Sequence, residues 1–445
     1  MSVHAKPVVV VGLGKTGYSV VAFFAARNIQ VVAMDTRELP PFANQIKQNF
    51  PHVTLHLGGL DQDVLCGAEK LVVSPGLPLA TVEIQAAIKQ GVDVVSDTQV
   101  FADYAQAPIV AITGSNAKST VTSLVGLMAQ DAGLNAAIGG NLGTPALDLI
   151  AHDVDLYVME LSSFQLEATP NLNALAATVL NISPDHLDRY NSYKDYYLSK
   201  HVIFNGCKWG VVNLDDTLSS PQLSQPESKV GFTLNTPKEG EFGVIKQDNT
   251  LFLAKGNVLL LDCELLKIKG SHNRSNALAA LALGECADIS MQSMLKTLQD
   301  FPGLEHRCQW VGQHDGVDFY NDSKGTNVGA TLAALEGLGP DIKGKLVLMA
   351  GGVGKDADFS FLQSAVGEFV DTLVLYGQDK YEIERALKDS AEVVMASDFD
   401  DAFQKACASA NKGDAILLSP ACASFDMFKS FEHRGDTFVK LVAAL

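Results

Sequence analysis

The strongest chemical signal in the chain is the run Gly114-Ser115-Asn116-Ala117-Lys118-Ser119-Thr120. It follows an apolar run, Pro108–Thr113, and precedes a stretch with helical character, Val121–Ala129. Strand, polar turn, Lys-Ser-Thr and helix form a phosphate-loop arrangement. Backbone N–H groups cradle phosphate oxygens, Lys118 reaches the β- and γ-phosphates, and Ser119 or Thr120 holds Mg²⁺. The strict pattern has glycines where Ile112 and Ala117 stand. Ala117 is the sharper departure. A β-carbon there is costly if the backbone has positive φ and harmless if φ is helical.

A second acid fits the same chemistry. Glu160 closes the buried run Leu156–Met159, and a carboxylate at a strand end beside a phosphate loop suits a metal ligand. Farther on, Asn181–Tyr190 brings Asp185 and His186 after another strand-like run, Ala174–Leu180. A lone histidine is more often structural than a ligand. Lys200, in the helical run Tyr193–Phe204, reads by itself as a solvated lysine.

A further glycine loop, Gly12-Leu13-Gly14-Lys15-Thr16-Gly17, follows the first strand-like run, and Asp35 lies 23 residues after Gly12. This spacing fits a dinucleotide fingerprint: tight turn, phosphate at a helix N-terminus, acid toward a ribose. The same geometry serves any phosphorylated ligand, or only the packing of a helix on a sheet. Thr36-Arg37 directly after Asp35, with the stronger phosphate loop downstream, favours a nucleotide sugar over NAD. Arg37 would meet a diphosphate or a uracil edge.

These residues need rigid elements to hold them. Val8–Val11, Val31–Met34, Leu71–Val73 and Val92–Val95 read as buried parallel strands separated by amphipathic stretches. The pattern restarts at Pro108, so a boundary is expected near Ser96–Gln99. The middle block runs to about Pro302-Gly303, and its polar stretch Ser219–Lys229 reads as a surface loop. Alternation resumes from Glu305, with strands at Lys345–Ala350, Thr372–Tyr376, Val393–Met395 and Ala415–Ser419. The expected fold is α/β with three domains: Rossmann-like over 1–96, a central P-loop-type ATPase domain over 97–303, and Rossmann-like over 304–445.

The 445 residues suffice for about three such cores. With 47% hydrophobic and 19% charged residues the balance is that of a globular protein, and 37 glycines suit α/β nucleotide binding. A formal net charge of -18 argues against nucleic-acid and anionic-membrane partners. The seven cysteines are scattered without a CxxC pair, which fits reduced thiols in a cytoplasmic protein better than disulfides or zinc. No apolar run approaches a membrane span, and the first residues lack a signal-peptide core.

Taken together, the motifs resemble the Mur ligases, the ATP-dependent amide-bond-forming enzymes of peptidoglycan synthesis. The family's central loop G-[ST]-N-G-K-[ST]-T stands here as Gly114–Thr120, with Ala117 in place of glycine. Glu160–Glu167, Asp185–Tyr190, Ser419–Asp426 and Phe431–Gly435 are similar to the branch that adds D-glutamate. His272-Asn273-Arg274-Ser275-Asn276 matches H-N-x-x-N, and Asn321–Asn327 matches N-D-S-K-x-T-N. The resemblance covers nearly the whole chain.

The resemblance implies the roles. Gly114, Ser115, Asn116, Ala117, Lys118, Ser119 and Thr120 would bind ATP phosphates, with Asn276, Arg307 and Asp322 serving its adenine, phosphate and ribose regions. Two Mg²⁺ ions would be held by Ser119, Glu160, His186 and Lys200, the lysine carbamylated into a carboxylate-like ligand. Lys118, His186 and Lys200 would be catalytic. UDP-N-acetylmuramoyl-L-alanine would meet Lys15, Thr16, Asp35, Thr36, Arg37, Ser74, Gly76 and Asn141, and His186 would also contact substrate. D-Glutamate would meet Lys324, Thr326, Lys355, Ser424, Phe425 and Phe431. A monomer is expected. Val353 stands where relatives often carry an acid, and Lys15 where they are often apolar. The rival readings are an NAD-dependent oxidoreductase, a non-catalytic nucleotide-binding regulator, and a sister ligase such as folylpolyglutamate synthetase.

Overall fold

The computed structural model describes residues 6–185 and 189–445. Three sheets carry the chain. The first holds β1 (Val8–Val11), β2 (Val31–Asp35), β3 (Thr54–Leu57), β4 (Lys70–Val73) and β5 (Asp93–Val95), in the order β3-β2-β1-β4-β5. Every pairing is parallel, with Val8 opposite both Val31 and Lys70. The all-valine β1 is buried on both faces, as a central parallel strand must be.

The second sheet is built on β6 (Ile109–Thr113), β7 (Ala136–Gly140), β8 (Leu156–Glu160), β9 (Ala176–Val179), β10 (Trp209–Asn213) and β11 (Ser228–Phe232). Their order is β11-β10-β9-β6-β8-β7, again parallel throughout. β6 is therefore central, and the phosphate loop leaves its carboxyl end between β8 and β9. Open α/β sheets bind ligands at this kind of position. The stretch expected as a surface loop, Ser219–Lys229, instead ends inside β11, because Val230 and Phe232 draw its last residues into the sheet. Short strands β12 (Phe242–Gln247), β13 (Thr250–Lys255) and β14 (Val258–Asp262) follow.

The third sheet contains β15 (Gln309–His314), β16 (Val317–Asn321), β17 (Leu346–Gly351), β18 (Val370–Tyr376), β19 (Glu392–Met395) and β20 (Ala415–Leu418). Its order is β15-β16-β20-β17-β18-β19, parallel except for the β15–β16 hairpin. Asp315 and Gly316, both with positive φ, make the hairpin's two-residue turn.

The described residues group into two compact units. One comprises Met1–Gly243, Ala254–Val258 and Leu278–Thr297; the other Val244–Leu253, Leu259–Ala277 and Leu298–Leu445. The first two sheets share one unit because a common core joins them, with Val8 and Val10 in the same cluster as Ile109, Tyr157 and Met159. The helix Asp97–Tyr104 is the join. Its Phe101 meets Tyr157 edge to face, and its Tyr104 meets Phe23, both with ring centroids 4.9 Å apart.

Candidate active site

The loop after β6 is held from below by its own carbonyls. Lys118 Nζ donates to Gly114 O at 2.9 Å and Ser115 O at 3.0 Å. Ala117 lies at φ 64°, ψ -2°, in the left-handed region, and caps the helix Lys118–Asp131. The position thus needs the conformation that glycine adopts freely, and alanine bears the strain, about 1–2 kcal/mol. Ser119 and Thr120 are buried in the first turn of that helix. The N–H groups of its first turn and its dipole favour an anion at this end.

Asn181, quoted only as the start of a motif, pins the loop. Its Oδ1 accepts from Asn116 N at 2.8 Å, its Nδ2 donates to Asn116 O at 3.2 Å, and its carbonyl accepts from Ser115 N at 2.9 Å. The Ser115 hydroxyl sits 2.8 Å from the Tyr196 hydroxyl.

Glu160 ends β8 and is buried. Its Oε1 accepts from Asn141 Nδ2 at 2.7 Å, while its Oε2 is buried without a hydrogen-bond partner among the described residues. A buried carboxylate oxygen left unpaired is costly, and a cation satisfies it, so this residue fits a metal site. Among the described residues no group of three or more His, Cys, Asp or Glu side chains is assembled. His186 lies outside the described residues.

Lys200 is not the solvated lysine that its position alone suggested. It is buried, and its Nζ donates to the same Gly114 carbonyl at 3.1 Å. Burial first, and then the charge of Lys118, push its pKa well below that of an ordinary lysine; Asp185 partly opposes them. Helix Tyr193–His201 positions it, capped by Ser192, whose hydroxyl accepts from Asp195 N at 3.1 Å.

In the first sheet, Gly12 has φ 92°, and a β-carbon at Gly17 would strike the Gly12 carbonyl, so both glycines are sterically required. Asp35 is committed to protein partners. Its Oδ2 accepts from Leu13 N at 2.7 Å, and its carboxylate forms a two-point pair with Arg37 at 2.8 and 2.7 Å. Burial alone would raise its pKa, but Arg37 and the Leu13 N–H outweigh it and hold the carboxyl below its usual value. Thr36 and Arg37 are exposed, and Thr16 is half-buried. Ser74 Oγ donates to Gly12 O at 2.7 Å, and exposed Gly76 follows in the same turn. Lys15 Nζ donates to Gly143 O at 2.6 Å, two residues from Asn141.

The second unit carries the remaining residues. Asp322 follows β16 and is buried, accepting from Ser419 Oγ at 2.7 Å and Cys308 N at 3.1 Å. Burial pushes its pKa up to about 7 against Ser419, the Cys308 N–H, Arg307 and Arg434. Lys324 Nζ stands 4.1 Å over the Phe431 ring, a cation–π contact. Thr326 is half-buried beside it in sequence. Ser424 is buried and Phe425 is 72% exposed. Lys355 is exposed at φ 56°, in a loop whose Val353 bridges to Ala423. Asn276 is buried, its Nδ2 donating to Asn273 Oδ1 at 3.1 Å.

One buried charge escaped notice in the sequence. Arg434 is fully buried, donating to Ser323 Oγ, Ser323 O and Cys422 O at 2.8–3.2 Å. It ties the chain after β16 to the chain after β20.

The chain matches three family domains in order: "Mur ligase MurD-like, N-terminal domain" over residues 6–96, "Mur ligase middle domain" over 112–284, and "Mur ligase, glutamate ligase domain" over 306–422. It belongs to the Mur ligase family, with three α/β domains. Within the family it is 52% identical to a UDP-N-acetylmuramoylalanine--D-glutamate ligase of Pseudomonas savastanoi pv. phaseolicola, over 98% of each chain. It is 49% identical to the ligase of the same name from Hahella chejuensis, over 100% of both chains. The solved structure of MurF from Acinetobacter baumannii shares the fold, with a TM-score of 0.62 and 16% identity over 98% of this chain and 92% of that one.

Proposed function

We infer that the chain is an ATP-dependent ligase joining D-glutamate to UDP-N-acetylmuramoyl-L-alanine in peptidoglycan precursor synthesis. The observation that carries this is identity of 52% across 98% of the chain to D-glutamate ligases. The phosphate loop, with Lys118 beneath it, supports the ATP requirement. An oxidoreductase built on Gly12–Gly17 would leave that loop without a role.

A carboxylate is a poor electrophile. Transfer of the γ-phosphoryl group of ATP to the alanyl carboxylate gives an acyl phosphate. The D-glutamate amine attacks it, a tetrahedral intermediate forms, and phosphate departs. In this reading the Gly114–Thr120 N–H groups and Lys118 bind the phosphates, and Lys118 follows the charge as it moves. Asn276, Arg307 and Asp322 bind the rest of ATP.

Ser119, Glu160, His186 and Lys200 would hold two Mg²⁺, and the unpartnered Glu160 Oε2 supports that assignment. Bound there, Mg²⁺ supplies Lewis-acid neutralisation of phosphate charge. The lowered pKa of Lys200 supports its carbamylation, since a neutral amine is the form that adds CO₂, with release of a proton. His186 and Lys200 complete the catalytic set.

Lys15, Thr16, Asp35, Thr36, Arg37, Ser74, Gly76 and Asn141 would serve the UDP-substrate. Asp35 acts there by fixing Arg37 and the glycine loop. Lys324, Thr326, Lys355, Ser424, Phe425 and Phe431 would take D-glutamate. We assign UDP-substrate binding to residues 1–96, ATP binding to 97–303, and amino-acid and ATP contacts to 304–445. The enzyme acts as a cytoplasmic monomer without nucleic-acid or membrane partners.

The test is phosphate release with UDP-N-acetylmuramoyl-L-alanine, ATP and a panel of D- and L-amino acids. D-Glutamate alone should drive release, and Lys118→Ala should abolish it while leaving the circular-dichroism spectrum unchanged. Release driven equally by other amino acids, or undiminished in Lys118→Ala, overturns the reading.

A further inference from the structure

Arg189 lies in the first unit, between the turn after β4 and the segment that follows Glu160. Its side chain is 13% exposed. Both terminal nitrogens and one face of the guanidinium have partners. NH1 donates to Pro75 O at 2.6 Å, and NH2 donates to Leu77 O at 3.2 Å and to Glu167 Oε2 at 3.2 Å. Its plane carbon lies 4.0 Å from the Phe164 ring centroid, and Phe164 stacks on Tyr190 at 6.1 Å. Glu167 and Phe164 belong to the segment that leaves Glu160, whose helical turn is fixed by the Ser162–Gln165 capping box.

The two carbonyls that Arg189 grips belong to the turn after β4. That turn rests on the glycine loop: Ser74 Oγ donates to Gly12 O at 2.7 Å, and a β-carbon on Gly12 would collide with Ser74 and Leu77. A continuous set of polar contacts therefore runs from the Glu160 segment through Arg189 to the turn Ser74–Leu77 and on to Gly12.

We propose that Arg189 is a positioning residue for the nucleotide-sugar site, acting through the turn Ser74–Leu77. It sets the height of that turn against the Gly12–Gly17 loop, so the first sheet presents its ligand in register with the phosphate loop of the second. Only a planar fork reaches both carbonyls and the Glu167 carboxylate together; an ammonium has a single point of charge. The inference rests on the nucleotide-sugar reading of the first sheet.

The test uses the full-length enzyme, with UDP-N-acetylmuramoyl-L-alanine binding read by calorimetry and KM and kcat read by phosphate release. Arg189→Lys and Arg189→Ala should raise Kd and KM for the UDP-substrate roughly 10- to 100-fold, the loss expected for two or so charge-assisted hydrogen bonds. KM for ATP and for D-glutamate should stay within about twofold. Millimolar guanidinium should restore part of the UDP-substrate affinity to Arg189→Ala and leave Arg189→Lys unchanged. If the wild-type enzyme does not bind the UDP-substrate, the nucleotide-sugar reading fails. If the wild type binds and both variants bind as tightly as the wild type, or if all three KM values rise together without rescue, the positioning role fails.

Discussion

Ala117 carries a left-handed backbone without the freedom of glycine, and Arg434 carries a fully buried charge. Ala117 is left-handed at φ 64°, so Ala117→Gly should relieve strain and raise the chemical-denaturation midpoint of the first unit. The gain should be about 1 kcal/mol or less, because glycine also adds freedom to the unfolded chain. An unchanged or lower midpoint would show that the loop does not keep this conformation in solution. Arg434 poses the opposite case. Arg434→Met removes five donors from a fully buried site and strands the Ser323 and Cys422 carbonyls. A loss of about 3–5 kcal/mol is expected, read as a fall in the thermal midpoint, whereas a surface arginine would cost almost nothing.

At the scale of elements, the helix Asp97–Tyr104 joins two sheets and begins with a buried acid. Burial raises the Asp97 carboxyl to about 6, against the lowering effects of the Thr98 and Asp97 N–H groups and Gln165. The folded pKa exceeds the unfolded one, so the folded form binds more protons between these values. The stability of this acid is then fully present below the unfolded value near 3.8 and is lost as pH rises through about 6. Asp97→Asn should remove that decline, worth up to about 3 kcal/mol, and denaturant midpoints at pH 5 and 7.5 should differ less than in the wild type. A steeper decline in the variant would refute the assignment.

Elements also decide what the sequence disclosed. Both glycine loops were legible because a positive φ or a close approach leaves glycine a recognisable place, as at Gly12 and Gly17. The parallel strands were legible as unbroken valine and isoleucine runs. The β15–β16 hairpin had its signal in Asp315-Gly316, and the turn at Asp248-Asn249 is likewise left-handed at both residues. Those short-range cues were outweighed by the dominant strand–helix alternation. Lys200, Asn181 and Arg434 were opaque for a different reason. Each owes its environment to residues far along the chain, and a side chain's burial by such partners leaves no local periodicity. The shared core of the first two sheets was hidden similarly, since Phe101 and Tyr104 look like one face of any amphipathic helix.

For the molecule as a whole, the excess of negative charge sets the terms on which ligands arrive. At -18, the chain repels anionic nucleotides, and on the proposed assignments it does so until they come within reach of Lys118, Arg37 and the loop amides. Stopped-flow association of ATP or of the UDP-substrate should therefore quicken, by a few-fold, as salt rises from about 20 to 200 mM and the Debye length shortens. Slowing with salt would mean that the basic groups at the loops, and not the net charge, govern the approach. Among the described residues no helix is long and apolar enough to cross a membrane.

The Gly114 carbonyl accepts from Lys118 and Lys200 at once, so one oxygen atom does the work of a stand-in anion. On the proposed assignment, nucleotide binding at this loop is an exchange of acceptors more than the filling of a bare socket: a phosphate oxygen must be a better partner for the Lys118 ammonium than the peptide oxygen it displaces. A nucleotide too short to present an oxygen there leaves the internal bond in place and gains only the amide cradle. On that assignment the loop would measure phosphate-chain length before any chemistry begins, with the backbone itself as the reference against which that length is judged.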